Sequence, residues 1–188
     1  MSQQELLKKA SGALEAAGIP YMLTGSTVSS MQGEPRATHD IDMVVVIGQK
    51  QLSELAVVFT APDYHYDIMA AQAATKSRSM FNVIETASGD KIDFWLLTEE
   101  PFDRERFARR RREEVFGFPV YVSSPEDTIL MKLRWAKLSG GSQKQFQDAL
   151  RVYEVQGASL DESYIGKWSV VLEVDDMWRK IQEQAEPV

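Results

Sequence analysis

Asp40-Ile41-Asp42-Met43-Val44-Val45-Val46-Ile47-Gly48 is the stretch on which the fold reading turns. Its apolar residues are mostly β-branched and nearly continuous, and Gly48 ends the run. That pattern predicts a strand buried on both faces near its end, hence a central strand of a sheet. Two aspartates open it. Residues i and i+2 of a strand point to one side, so the carboxylates of Asp40 and Asp42 converge. Their mutual repulsion at the head of an apolar strand calls for a metal ion or a cationic group. Magnesium, which takes one or two protein carboxylates together with substrate phosphate oxygens, suits such a pair.

Working outward from this strand, the flanking sequence alternates between helix and strand signals. Upstream, Leu6, Leu7, Ala10, Leu14 and Ala17 recur at helical spacing, and Gly18 with Pro20 stops the helix. A short strand is expected over 21–23, then a tight turn at Thr24-Gly25-Ser26-Thr27 into a second helix carrying Val28 and Met31. Downstream, 51–59 and 68–74 have helical spacing. Strands are expected over 80–86 and 91–97, separated by the turn signal Ala87-Ser88-Gly89-Asp90. An arginine-rich helix over 104–112 and a strand over 115–122 follow.

Ser124-Pro125-Glu126-Asp127 then opens a helix with an N-cap serine, a proline at the first helical position and early acids. Ile129, Leu130, Leu133, Trp135 and Leu138 supply its apolar positions, and Gly140-Gly141 ends it. Helices are expected over 143–156 and 169–184, with a short one over 161–166. The predicted organisation is an α/β core over 1–123 followed by a helical region over 124–188, without repeats or low-complexity linkers.

Composition excludes several classes. The 188 residues are long enough for a core that needs no disulfide or structural metal, and 44% hydrophobic with 26% charged residues is ordinary globular composition. The chain has no cysteine, and its two histidines, His39 and His65, are too few for a three-histidine zinc site. No stretch reaches the roughly 18 apolar residues of a membrane span, so the expected setting is the cytoplasm, away from membranes. A net charge of −7 argues against coating nucleic acid through the overall field. The one basic run, 104–112, is followed directly by Glu113 and Glu114 and reads as a solvated, ion-paired face.

Asp93 lies inside the apolar run Lys91-Ile92-Asp93-Phe94-Trp95-Leu96-Leu97, and a buried lone aspartate needs a partner. On a strand beside the first, it would join Asp40 and Asp42 and hold metal or accept a proton from an attacking hydroxyl. Taken alone it reads equally as an edge residue or as the partner of an arginine such as Arg36. Gly25-Ser26, about 15 residues upstream of the acid pair, adds a turn where backbone can approach phosphate, followed by the N–H groups of a helix.

In order and spacing, Gly25-Ser26, Asp40-Ile41-Asp42 and Asp93 resemble the signature of the nucleotidyltransferase superfamily that includes DNA polymerase β. Thr24, Arg36, Thr38, Ser124-Pro125-Glu126-Asp127, Lys132-Leu133, Lys144 and Asp148 narrow the resemblance to small bacterial nucleotidyltransferases related to abortive-infection toxins, over most of the chain. The resemblance implies a mixed β-sheet flanked by helices with a C-terminal helical region closing over the nucleotide. It implies Mg2+ or Mn2+ on Asp40, Asp42 and Asp93, the last also assisting deprotonation. A nucleoside triphosphate would be held by Gly25, Ser26, Arg36, Thr38 and Lys132, with Lys144 and Asp148 nearby. The acceptor would be RNA, protein or a small molecule, and an antitoxin a possible partner. A toxin-like regulatory module and a catalytically silent nucleotide-binding domain are the competing readings. His39 reads as a local hydrogen-bonding partner of the acids. Phe94, Trp95 and Trp135 read as core residues rather than base-stacking platforms.

Overall fold

The structure is a computed structural model, and it describes residues 1–38 and 40–186. Strands β1 (Tyr21–Thr24), β2 (Asp40–Val45), β3 (Tyr64–Tyr66), β4 (Met80–Glu85), β5 (Lys91–Leu96), β6 (Arg111–Val115) and β7 (Phe118–Val122) form one sheet. Their order is β3-β4-β5-β2-β1-β7-β6. The sheet is mixed: β5 with β2 and β1 with β7 run parallel, and the remaining neighbours are antiparallel. The Asp40–Val45 strand is central, as its continuous apolar run predicted.

Helices are α1 (Gln3–Ala16), α2 (Gly25–Gln32), α3 (Gln49–Val58), α4 (Ile68–Ser77), α5 (Pro101–Ala108), α6 (Pro125–Leu138), α7 (Gln143–Gln156), α8 (Glu162–Val171) and α9 (Asp175–Gln184). The chain forms two compact units. One comprises Met1–Thr24 and Thr38–Val122 and holds the whole sheet with α1, α3, α4 and α5. The other comprises Gly25–Ala37 and Ser123–Val188. The helical unit therefore takes in α2 as well as the C-terminal region beginning near Ser123.

In the sheet unit the pleat sorts β2 and its neighbours into two faces. Ile41, Met43, Ile92 and Phe94 are fully buried on one, where Phe94 stacks on Phe81 at a centroid distance of 5.1 Å. Burying each such side chain contributes about 1.5–3 kcal/mol. On the other face Met22 and Val44 pack with Phe107 of α5, against Trp95 and Leu97. In the helical unit α2 packs against α7 and α6, and Gly33 is what lets its end approach. A Cβ there would lie 2.9 Å from the Val152 nitrogen and 3.0 Å from the Arg151 carbonyl carbon.

Local chemistry sets the helix ends. Ser124 caps α6, its hydroxyl accepting from the Asp127 N–H at 3.2 Å and donating to the Asp127 carboxylate at 2.7 Å. The other Asp127 oxygen accepts from the Tyr164 hydroxyl at 2.7 Å. After α1, Gly18 and Ile19 donate back to Glu15 and Leu14 in a Schellman closure, which the glycine made readable in the sequence.

Three expectations need correction. The arginine run is not one helix: α5 ends at Ala108, and Arg111 and Arg112 begin β6. The strand expected over 115–122 is the second half of a hairpin, because Phe116 and Gly117, at φ 52° and 82°, form a two-residue loop pairing Val115 with Phe118. The helix expected over 169–184 is broken. Glu173 takes φ 55°, and Glu173 and Val174 donate to Val170 and Ser169, closing α8 without a glycine. The sequence also carried no clear sign of β3, a three-residue strand.

Candidate functional site

On the polar end of one sheet face, strand register does the assembling. Asp42 pairs with Thr24 of β1 on one side and with Asp93 of β5 on the other, and Asp93 pairs with Asn82 of β4. A row Thr24, Asp42, Asp93, Asn82 thus crosses four strands. The next row out pairs Asp40 with Lys91. Parallel alignment of β2 with β5 brings the first acid pair and the later aspartate onto one face, as the two-residue period anticipated.

Asp93 is buried at 5% exposure, on an interior strand, so the reading of it as an edge residue does not hold. Its partner is Lys91 rather than Arg36: the ammonium donates to Asp93 Oδ2 at 2.7 Å and lies 3.5 Å from Asp40 Oδ2. The hydrogen bond to Asp93 raises the Lys91 pKa, with the charges of Asp93 and Asp40 adding to it against the cost of desolvation. Asp93 Oδ1 is buried with no hydrogen-bond partner among the described residues. Asp42 Oδ1 accepts from the indole N–H of Trp95 at 3.2 Å. Thr38 donates to the Asp40 carbonyl at 3.4 Å. His39 lies outside the described residues.

Oxygen donors of this kind suit a hard dication, and Asp93 Oδ1 is a buried acceptor with no donor among the described residues. Among the described residues no three acidic or histidine side chains stand together as a ready metal-binding group. Lys91 supplies the positive charge between Asp93 and Asp40 instead. Lys91 and Trp95 are the site residues that sequence reasoning missed. Their signal was present: each lies two residues from Asp93 and therefore on its face.

The helical unit holds the other predicted residues. Gly25 has φ 71°, the left-handed corner at which the chain leaves β1 and enters α2. Asp148 of α7 accepts from Arg36 Nε at 3.1 Å, Arg36 Nη2 at 2.7 Å and Lys132 Nζ at 2.7 Å. The Ser26 hydroxyl accepts from the same Arg36 Nη2 at 3.1 Å and from Lys132 Nζ at 3.4 Å. Burial pushes the Asp148 pKa up, but the two cations and their hydrogen bonds outweigh it and hold the carboxyl below its usual value. Two cations, Arg36 and Lys132, thus converge on one carboxylate and one hydroxyl. Lys144 is exposed and takes no part in it. Of the three aromatics, Phe94 is a core residue, Trp95 is the Asp42 donor, and Trp135 is 38% exposed and thus not core.

An open mixed sheet with two aspartates heading its central strand, a third on the parallel neighbour and a Gly-Ser corner after the adjacent strand is the nucleotidyltransferase fold. Solved structures bear this out. The antibiotic-resistance factor ANT(2'')-Ia in complex with adenylyl-2''-tobramycin matches at TM-score 0.59 and 14% identity, over 92% of this chain and 98% of that one. Its solution structure matches at TM-score 0.53 and 12% identity, over 91% and 95%. An antigenic nucleotidyltransferase-like protein from Paracoccidioides brasiliensis matches at TM-score 0.50 and 12% identity, over 97% and 93%. No protein-family model matches the sequence, and no curated protein does. Among the described residues no helix is long and apolar enough to cross a membrane.

Proposed function

We propose that this protein transfers a nucleoside monophosphate from a nucleoside triphosphate to an acceptor hydroxyl. The observation that carries the reading is the in-register pair Asp42 and Asp93, with a buried Asp93 oxygen that has no hydrogen-bond partner among the described residues. In the reaction the acceptor oxygen bonds to the α-phosphorus, the bond from that phosphorus to the bridging oxygen breaks, and pyrophosphate leaves. Asp40, Asp42 and Asp93 would hold Mg2+ or Mn2+, which when bound neutralises phosphate charge and polarises the transferred group.

The protein's own residues supply the rest. Asp93 Oδ1, without a donor among the described residues, is the oxygen open either to that metal or, in its place, to the proton of the attacking hydroxyl. Trp95 fixes one Asp42 oxygen and so orients the other. Lys91 balances the acids before substrate arrives. In the helical unit Ser26, Arg36 and Lys132 supply a hydroxyl, a guanidinium and an ammonium suited to phosphate oxygens, and Gly25 is a corner where main chain can approach them.

Asp42→Asn tests the assignment. It should cut transfer about a hundredfold or more while leaving the unfolding midpoint unchanged or higher, since one of two crowded charges is removed. Unchanged transfer refutes it. Incubation with labelled triphosphates and separated RNA, protein and small-molecule acceptors identifies the hydroxyl, and aminoglycosides belong in the panel because a protein of this fold is solved in complex with adenylyl-2''-tobramycin. Label on RNA or protein, with growth arrest relieved by a co-expressed partner, would mark the toxin-like use of the same reaction. Triphosphate binding without transfer to any acceptor would mark a silent domain.

A further inference from the structure

The sheet unit contains a basic cavity, of about 620 Å3, at the end of β2 and β5 opposite the acid row. Val45 and Leu96 are the last residues of β2 and β5, three positions beyond Asp42 and Asp93, or about 10 Å along the strands. The floor is apolar, made by Val45, Leu96, Leu97 and Phe107, with Val46 43% exposed at its side. Its charges are three guanidinium groups, Arg78, Arg104 and Arg110, against one carboxylate, Glu99.

Those charges are arranged as an anion site already filled from within. Glu99 is held by Arg78 at 2.5 Å and, through its other oxygen, by Arg104. Arg78, at the left-handed end of α4, is further fixed by donating to the Leu97 carbonyl at 3.1 Å. Arg110 donates to the Phe107 carbonyl at 2.6 Å and lies over the rings of Phe107 and Tyr121 at 4.3 and 5.3 Å. Its Nε is buried with no hydrogen-bond partner among the described residues. The lining thus carries two net positive charges in a chain of net charge −7, beside an apolar floor and an unused guanidinium donor.

We propose that this cavity binds a small organic anion, an apolar or aromatic body bearing a phosphate or carboxylate, which takes the place of the Glu99 carboxylate on Arg78 and Arg104. The floor receives the body and Arg110 Nε an acceptor atom. The site is separate from the acid row and does not rest on the transfer reaction proposed above.

Amide-resolved NMR titration with phenyl phosphate, in buffer free of divalent metal, tests this in the full chain. Inorganic phosphate and benzyl alcohol serve as charge-only and body-only probes. Shifts should centre on Val46, Leu97, Thr98 and Phe107, and phenyl phosphate should bind more tightly than either control. Glu99→Gln should tighten binding about three- to fivefold, and Arg104→Gln should weaken it by a similar factor, because these ion pairs are exposed and screened. Asp42→Asn should leave it unchanged. The opposite signs separate the proposal from mere damage to the fold. No binding, equal binding by the three probes, indifference to Glu99→Gln, or shifts centred on Asp42 and Asp93 would each overturn it.

Discussion

Lys91 Nζ lies 2.7 Å from one oxygen of Asp93 while the other oxygen of that carboxylate is buried without a hydrogen-bond partner among the described residues. The ammonium neutralises Asp93 and, at 3.5 Å, shares its charge with Asp40. A dication arriving at these acids meets a resident cation first.

Lys91→Met should therefore destabilise the metal-free protein by about 1–3 kcal/mol, since a buried carboxylate loses its charged donor. Added magnesium should restore more stability to this variant than to the wild type, because metal binding at free concentration c stabilises by RT ln(1 + c/Kd) and Kd falls once the competing ammonium is gone. Thermal unfolding with and without magnesium measures both effects. Equal magnesium-induced shifts in the two proteins would remove Lys91 from the metal reading.

Asp148→Asn should destabilise by roughly 2–5 kcal/mol at neutral pH, because Arg36 and the 5% exposed Lys132 side chain both lose a charged acceptor. The pH dependence has a definite sign. The folded pKa of Asp148 is depressed below the unfolded value of about 3.9. Its stabilisation is therefore present above that value and is lost as pH falls through the depressed one. The stability gap between variant and wild type should close on acidification below about pH 4. A gap of constant size across that window would contradict the pairing.

Gly33→Ala should destabilise by about 1–3 kcal/mol, since the new methyl meets the backbone of Val152, Arg151 and Ser29 rather than a movable side chain. Denaturant unfolding reads the change. A neutral substitution would show that α2 and α7 separate without cost.

Ser124→Ala should lower stability by about 1–2 kcal/mol by uncapping α6 and removing one donor from buried Asp127. At about 2–4 °C per kcal/mol for a chain of this size, calorimetry should find a fall of several degrees. Ser124→Asp retains a capping acceptor but sets a second carboxylate beside Asp127, and should not rescue.

Legibility followed the range of the interactions. The strand opened by Asp40 and Asp42, the Gly18 helix stop and the Ser124 cap were readable because each depends on a few adjacent residues. The Phe116-Gly117 hairpin and the Glu173 helix end were not, since non-glycine residues occupy left-handed positions there and only the packed chain pays that strain. The arginine run was misread for a related reason. Its second half earns β-structure by pairing with β7, which no local propensity encodes.

By itself the sequence determined which side chains could share a face, because the two-residue period of a strand and the alternation of polar with apolar positions are properties of the local chain. Tertiary structure decided which strand lay beside which. The parallel register of β2 and β5 set Asp42 against Asp93, and it set Lys91 against Asp40. Register arises from long-range hydrogen bonds and from the burial of whole faces, so it could not be read from residues some fifty positions apart until the sheet had formed.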